Sequence, residues 1–295
     1  MAAKIIDGKQ IAEELRAEIK KQVEELKKDN IVPGLGVILV GEDPASISYV
    51  TAKERACEKL GIYSEDNRLP DDTSQQDLIA MVNKMNADPK INGILVQLPL
   101  PKHLDESEVL LAIDPTKDVD GFHPMNIGKM VAGEKAFLPC TPHGIIQLLL
   151  RSKVKIEGAH VVVVGRSNIV GKPIANMLIQ KADNGNATVT VCHTRTKDLP
   201  YHTKQADIII AAAGRPNTIT ADMVKDDVVV IDVGVNRVED ATKKRGYRLV
   251  GDVDFAALTE KASLITPVPG GVGPMTITML LYNTVESAKA AAGKS

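Results

Sequence analysis

With 36 lysines and arginines against 38 aspartates and glutamates, the 295-residue chain carries a formal charge of −2. That balance, with Lys243 to Arg245 as the densest basic run, excludes a surface that tracks nucleic-acid phosphates. No stretch approaches the roughly eighteen uninterrupted apolar residues of a membrane span, and the length exceeds what one core usually fills, so two domains are predicted.

The N-terminal region is rich in Lys and Glu and lacks the apolar stretch of a secretory signal. Cys57, Cys140 and Cys192 form no CxxC pair, which predicts neither a disulfide framework nor a zinc site and suits a reducing cytoplasm. Apolar residues Ile11, Leu15, Ile19, Val23 and Leu26 recur every three or four positions and predict a helix from Gly8 to Lys28. Leu35 to Val40 reads as a buried strand ending at Gly41. The following helix is punctuated by Asp43 as its cap, Pro44 in its first turn and Gly61 at its end. On it Tyr49 and Lys53 stand four apart and share a face, so a phenol and an amine can line one pocket.

A second strand, Ile91 to Val96, is stopped by the prolines of Gln97-Leu98-Pro99-Leu100-Pro101, and Gln97 there can hydrogen-bond the Lys53 amine. A helix is predicted from Leu104 to Ile113, then an acidic loop to Pro124 that carries Asp118 and Asp120. After a helix from His143 to Leu150, strands follow at Val161 to Val164, Ala187 to Val191, Asp207 to Ala212, Val228 to Val233 and Ser263 to Thr266. A helix at Lys172 to Gln180 separates the first two, and a long one from Met275 to Ala292 closes the chain and returns to the first domain. Continuous apolar strands in this arrangement predict an α/β fold, its second domain a Rossmann-like, mostly parallel sheet covered on both faces.

Between the Val161 strand and the next helix lies Gly165-Arg166-Ser167-Asn168-Ile169-Val170-Gly171-Lys172-Pro173, a glycine turn that leads into a helix N-terminus, where backbone N–H groups favour phosphate. Its spacing is neither GxGxxG, which needs glycine at Ser167, nor a P-loop, which needs a hydroxyl at Pro173 to hold magnesium. A dinucleotide is therefore predicted. The strand ending near Val191 runs into Cys192-His193-Thr194-Arg195 where an NAD-selective fold places an acid, so a 2′-phosphate can be received by Arg166, Thr194 or Arg195 and NADP is preferred. Glycines recur after later strands, at Gly214 and in Gly234-Val235, and cluster in Pro267-Val268-Pro269-Gly270-Gly271-Val272-Gly273-Pro274-Met275-Thr276, a pattern explained by backbone approach to a ligand.

Taken together, Tyr49-x-x-x-Lys53, Val96 to Pro101, Lys117-Asp118-Val119-Asp120-Gly121, Pro139-Cys140-Thr141-Pro142, the Gly165 to Pro173 turn and Pro267 to Thr276 resemble the bifunctional methylenetetrahydrofolate dehydrogenase/cyclohydrolase family from Ile5 to about Ala288. The resemblance implies a folate-binding catalytic domain of residues 1–142 and 276–295, an NADP-binding domain of residues 143–275 and a cleft between them. It implies oxidation of 5,10-methylenetetrahydrofolate to the methenyl form with NADP⁺, then hydrolysis to 10-formyltetrahydrofolate. In that scheme Lys53 handles the proton, with Gln97 and Tyr49 beside it. Asp120 accepts from the pterin, and Leu98, Pro99, Pro269, Gly270 and Gly273 line the substrate. Gly165, Arg166, Ser167, Val170, Thr194, Arg195, Gly214, Val235 and Thr276 hold NADP. A homodimer, formed through the second domain's sheet, is the family expectation.

No metal is implied: His103, His123, His143, His160, His193 and His202 are scattered and read as structural or surface residues. Cys140 reads as a buried structural thiol. Leu98-Pro99 and Val268-Pro269 are the two candidates for cis bonds. Two other functions fit parts of the pattern: an amino-acid or shikimate dehydrogenase, which has no need of Tyr49, Gln97 and Asp120 together, and a non-catalytic nucleotide sensor, which has no need of the Lys53 pocket.

Overall fold

The computed structural model describes residues 2–243 and 246–294, so Lys244 and Arg245 of the basic run lie outside the described residues. In chain order the elements are β1 (Lys4–Ile5), α1 (Gly8–Lys28), β2 (Gly34–Val40), α2 (Pro44–Leu60), β3 (Tyr63–Leu69), α3 (Gln75–Ala87), β4 (Gly93–Val96), α4 (Glu106–Ala112), α5 (Pro124–Ala132) and α6 (Cys140–Arg151). They continue as β5 (His160–Val164), α7 (Gly171–Ile179), β6 (Thr188–Cys192), α8 (Leu199–Thr203), β7 (Ile208–Ala211), β8 (Val229–Asp232), β9 (Asn236–Glu239), β10 (Tyr247–Val250), α9 (Phe255–Thr259), β11 (Leu264–Ile265) and α10 (Val272–Ala291). Two compact units result, one of Met1–Glu13 and Thr141–Thr276, the other of Glu14–Cys140 and Ile277–Ser295. Among the described residues no helix is long and apolar enough to cross a membrane.

The unit built on Glu14–Cys140 centres on a parallel sheet ordered β3-β2-β4, with β2 buried along its whole length. Ile38, Val40, Leu78, Val82, Met85, Ile94 and Val96 form one apolar cluster that presses α3 and α4 against the sheet. The predicted punctuation of α2 is present: Asp43 accepts from the Ser46 N–H at 2.7 Å, and Gly61 closes the helix in the left-handed region at φ 72°. Capping by a carboxylate and a left-handed glycine places this helix, and with it Tyr49 and Lys53, by local chemistry alone. Beyond Thr276, α10 packs in this unit, where Ser287 Oγ donates to the carbonyls of Asn92 at 2.7 Å and Thr116 at 2.9 Å.

The second unit holds a six-stranded sheet ordered β1-β11-β8-β7-β5-β6, every neighbour parallel. Val162, Val164, Ile209, Ala211, Val230 and Ile265 contribute to its core. From β5 the chain first moves outward to β6 and then crosses back to β7 on the other side of β5. The connections from β5 and β7 therefore diverge, leaving a crevice at the carboxyl ends of these two strands, the place where doubly wound sheets bind ligands. An antiparallel ribbon, β9 with β10, is added to this unit and was not expected from the sequence. The last helix begins at Val272 rather than Met275, so Gly273, Pro274 and Thr276 lie in or beside its first turn, where a proline costs no helical hydrogen bond.

Candidate active site and cofactor site

Lys53 lies on the buried side of α2, 8% exposed, and its Nζ donates to Gln97 Oε1 at 2.9 Å. Gln97 in turn donates through Nε2 to the Leu98 carbonyl at 2.7 Å, so its amide is held at both ends just where β4 stops. The Leu98-Pro99 bond is cis, as is Val268-Pro269. Burial lowers the Lys53 pKa from the usual lysine value, while the negative charge of Asp120 works the other way. Asp120 is partly open to solvent, yet burial pushes its carboxyl up to about 6, with Lys53 opposing the shift. The amine and the carboxyl are thus each shifted toward the neutral form, which suits groups that take up and release protons.

The loop that presents Asp120 is built by its neighbours. Asp118 is buried and accepts from the His123 N–H at 2.8 Å, the Phe122 N–H at 3.2 Å and Asn126 Nδ2 at 2.8 Å, which makes it the anchor of the start of α5. Lys117 Nζ donates to three carbonyls near the end of α3, those of Met85, Asn86 and Asp88. The buried Cys140 donates from Sγ to the Val119 carbonyl at 3.2 Å, and burial, then the nearby Asp120 charge, raises its thiol well above the ordinary range. A thiol so held is a packing and hydrogen-bonding group, since nucleophilic cysteines need the opposite shift. Sequence reasoning missed Asn283 on α10, whose Nδ2 donates to the Val119 carbonyl at 2.8 Å and the Leu138 carbonyl at 3.0 Å. Only its place as a buried amide among apolar helix positions marks it. Tyr49 stands one turn before Lys53 on α2 but is 45% exposed, whereas Lys53 is buried.

In the other unit, the expected turn connects β5 to α7. Gly165 has φ 135°, and a Cβ there would sit 2.0 Å from the Ala212 carbonyl oxygen, so the residue after β5 must be glycine for β5 and β7 to lie side by side. Ser167 Oγ accepts from the N–H groups of Val170 at 3.1 Å and Gly171 at 3.3 Å, and Lys172 Nζ donates to Asn168 Oδ1 at 2.7 Å. Arg166, Thr194 and Arg195 are all exposed. The Gly165 N–H donates to the Cys192 carbonyl at 2.9 Å, so the turn with Arg166 and the segment with Thr194 and Arg195 leave adjacent strand ends. That segment is itself shaped by side chains: the His193 N–H donates to Thr196 Oγ1 and the Arg195 N–H to His193 Nδ1.

Val235 is exposed after β8, Gly214 follows β7 at φ 69° with open space on its side-chain face, and Thr276 Oγ1 is 2.9 Å from Thr141 Oγ1. Pro269 and Gly273 are exposed, and Gly270 has φ 109°. A glycine turn at the switch point, flanked by two exposed guanidinium groups and without a carboxylate after β6, fits a dinucleotide with an extra phosphate.

Two family models cover most of the chain: tetrahydrofolate dehydrogenase/cyclohydrolase, catalytic domain, at residues 6–120, and the NAD(P)-binding domain of the same family at residues 139–292. The chain belongs to the tetrahydrofolate dehydrogenase/cyclohydrolase family. It is an NADP-dependent dehydrogenase and cyclohydrolase acting on tetrahydrofolate substrates. Among its relatives, the bifunctional protein FolD of Syntrophus aciditrophicus (strain SB) is 60% identical over 99% of this chain and 100% of its own length. The crystal structure of the bifunctional enzyme FolD from Campylobacter jejuni, a methylenetetrahydrofolate dehydrogenase/cyclohydrolase, is 49% identical, covers 98% of this chain and 99% of its own, and superposes with a TM-score of 0.92. A Trypanosoma brucei N5,N10-methylenetetrahydrofolate dehydrogenase-cyclohydrolase, complexed with NADP cofactor and inhibitor, is 38% identical over 99% of both chains with a TM-score of 0.94. This membership sets aside both the other-dehydrogenase reading and the sensor reading.

Proposed function

We propose that the two reactions of this family are divided between the two sets of residues just described. The unit carrying Gly165 holds NADP, through the Gly165-Arg166-Ser167 turn with Val170, through Thr194 and Arg195, and through Gly214, Val235 and Thr276. The unit carrying Lys53 handles the proton chemistry. NADP, when bound, supplies the hydride acceptor that converts 5,10-methylenetetrahydrofolate to the methenyl cation. Both nitrogens flanking the one-carbon unit donate electrons to that cation, so the oxidation requires no protein base and depends on positioning.

Hydrolysis to 10-formyltetrahydrofolate is different, because water must lose a proton as it adds and N5 must gain one as its bond to the one-carbon unit breaks and the ring opens, leaving the formyl group on N10. Lys53 is assigned that proton transfer. As an ammonium it would repel a cationic substrate; as the neutral amine that burial favours, it can accept the proton of attacking water. Gln97 orients it through the 2.9 Å hydrogen bond, the observation that carries this reading; Tyr49 stands one helical turn before Lys53, and Leu98 and Pro99 directly follow Gln97. Asp120 is assigned to the pterin, whose amino and ring N–H groups need an acceptor. The test is Lys53→Met: methenyl hydrolysis is expected to be lost while NADP reduction survives, and the reverse pattern refutes the assignment.

The enzyme is further proposed to work as a cytoplasmic homodimer. β6 is the outer strand of its sheet, and Val191 on it is exposed, so a second copy can continue the sheet there. Sedimentation of the protein and of a Val191→Lys variant tests this, with a dimer expected for the first and a monomer for the second.

A further inference from the structure

Two carboxylates are sealed into the carboxyl end of the six-stranded sheet. Asp232 is the last residue of β8, Asp252 follows β10, and both are buried. Oδ2 of Asp252 accepts the N–H groups of Ala213 at 2.6 Å and Gly214 at 2.8 Å, while its Oδ1 accepts from Asn236 Nδ2 at 2.8 Å. Oδ1 of Asp232 accepts from the N–H groups of Gly234 at 3.0 Å and Asp252 at 2.8 Å, and its Oδ2 from the Val253 N–H at 3.3 Å. The backbone N–H of Asp232 itself donates to Thr266 Oγ1 at 2.7 Å. The segments after β7, after β8 and after β10 are thus tied to one pair of acceptors.

The surrounding glycines exist to admit this pair. A Cβ at Gly234 would lie 2.2 Å from Asp252 Oδ1, and one at Gly251 would lie 1.7 Å from Asp232 Oδ2. Gly234, which the sequence pattern attributes to ligand approach, therefore packs on a carboxylate. Placing two like charges side by side away from water is costly, and burial, with the charge of Asp252 adding to it, raises Asp232 to about 6. Tying loops together does not by itself demand charges, since neutral amides or apolar contacts also do it. What a carboxylate adds is the capacity to take several N–H groups at once and to fix their directions, which a binding site requires and a simple loop does not.

The geometry also sorts the donors available to a dinucleotide. With the Ala213 and Gly214 N–H groups committed to Asp252, they are not free for phosphate, and a negative charge beneath them would repel one. Phosphate recognition is left to the segments after β5 and β6, with Arg166 and Arg195. The segments after β7 and β8 remain for the part of the cofactor that carries no phosphate.

We propose that Asp252, backed by Asp232, is the positioning residue of the cofactor site, holding the Ala213–Gly214 and Gly234–Asn236 backbones in the shape that receives NADP without taking part in folate hydrolysis. This rests on the assignment of Gly214 and Val235 to the cofactor. The experiment compares wild-type protein with Asp252→Asn and Asp252→Ala, measuring NADP⁺ dissociation constants by titration calorimetry, methenyltetrahydrofolate hydrolysis without NADP, and thermal unfolding. Asp252→Asn keeps the shape and one acceptor oxygen, so it is the variant that decides if the alanine protein does not fold. The expected result is NADP⁺ binding weakened about tenfold or more in alanine and less in asparagine, with hydrolysis within about twofold of wild type. Unchanged NADP⁺ affinity in a folded variant overturns the proposal, as does a parallel loss of binding and hydrolysis, which would mark Asp252 as a structural residue only. A wild-type protein that hydrolyses methenyltetrahydrofolate but binds no NADP⁺ overturns the cofactor assignment itself, and is recognised before any variant is compared.

Discussion

Replacing Gln97 by leucine probes the proton chemistry most sharply, because it removes the Lys53 acceptor, along with the donor to the Leu98 carbonyl, at little change of volume. In the wild type the Lys53 ammonium has Gln97 Oε1 at 2.9 Å, and burial already disfavours its charge. A hydrogen bond from a charged donor contributes about 1.5–3 kcal/mol against about 0.5–1.5 kcal/mol for a neutral one, so its loss falls more heavily on the ammonium form. At about 1.4 kcal/mol per pKa unit, that difference of about 1–1.5 kcal/mol should lower the Lys53 pKa by about one unit. The sign is set by which form loses its partner: with the charged form destabilised, the neutral amine is reached at lower pH. The pH–rate profile for methenyl hydrolysis should therefore move toward acid by about that much. Its plateau should also fall, by about 10- to 100-fold, because the amine is no longer held in line. Loss of methenyl absorbance, followed across pH by stopped flow, measures both effects. A Gln97→Leu enzyme with the wild-type pH profile would refute the argument that this hydrogen bond governs Lys53.

Asp120→Asn should raise the KM for folate in both reactions and, by removing the anion that holds the Lys53 pKa up, shift the hydrolysis profile toward lower pH; steady-state kinetics at several pH values check both. Arg166→Ala should weaken NADP⁺ about tenfold or more while leaving NAD⁺ little changed, a ratio read from kcat/KM with each cofactor, and the same comparison for Thr194 and Arg195 ranks the three. Gly165→Ala should unfold or severely destabilise the second unit, since the added Cβ would fall 2.0 Å from a backbone carbonyl that cannot move without parting β5 from β7, as thermal unfolding would show. Asp43→Ala should cost about 1 kcal/mol through loss of the α2 cap, visible as a melting temperature lower by a few degrees.

Local chemistry made parts of this molecule readable in advance. Asp43, Pro44 and Gly61 mark α2 because a cap, a first-turn proline and a left-handed glycine act on the residues next to them. The unbroken valines of β5 mark a strand buried on both faces. β3 escaped because it is an edge strand: Glu65, Asp66, Asn67 and Arg68 face solvent or one another and leave no apolar pattern. α3 was missed although Leu78, Val82 and Met85 recur with helical spacing, their signal thinned by the polar residues between them.

The sites divide in the same way. Tyr49, Lys53 and Gln97 were visible as residue types at a helix face and a broken strand end, and the 2.9 Å contact joins two of them across 44 positions. Asn283 lies 164 positions from the Val119 carbonyl it holds, and Asp252 lies 38 and 39 from the N–H groups it accepts. No local pattern carries such pairings; they exist only once the sheet has brought the strand ends together. The glycines illustrate the point, since a residue without a side chain signals close approach but not what approaches, and at Gly234 the neighbour is the Asp252 carboxylate.

The central claim is that one chain oxidises methylenetetrahydrofolate with NADP⁺ and hydrolyses the product. Purified protein mixed with 5,10-methylenetetrahydrofolate and either NADP⁺ or NAD⁺, with reduced cofactor and methenyl absorbance followed together, tests it directly. The account predicts reduced cofactor accumulating with NADP⁺ and much less with NAD⁺, while methenyl absorbance rises briefly and then decays to 10-formyltetrahydrofolate. No reduced cofactor with either nucleotide, or methenyl absorbance that accumulates without decaying faster than in buffer, would contradict it.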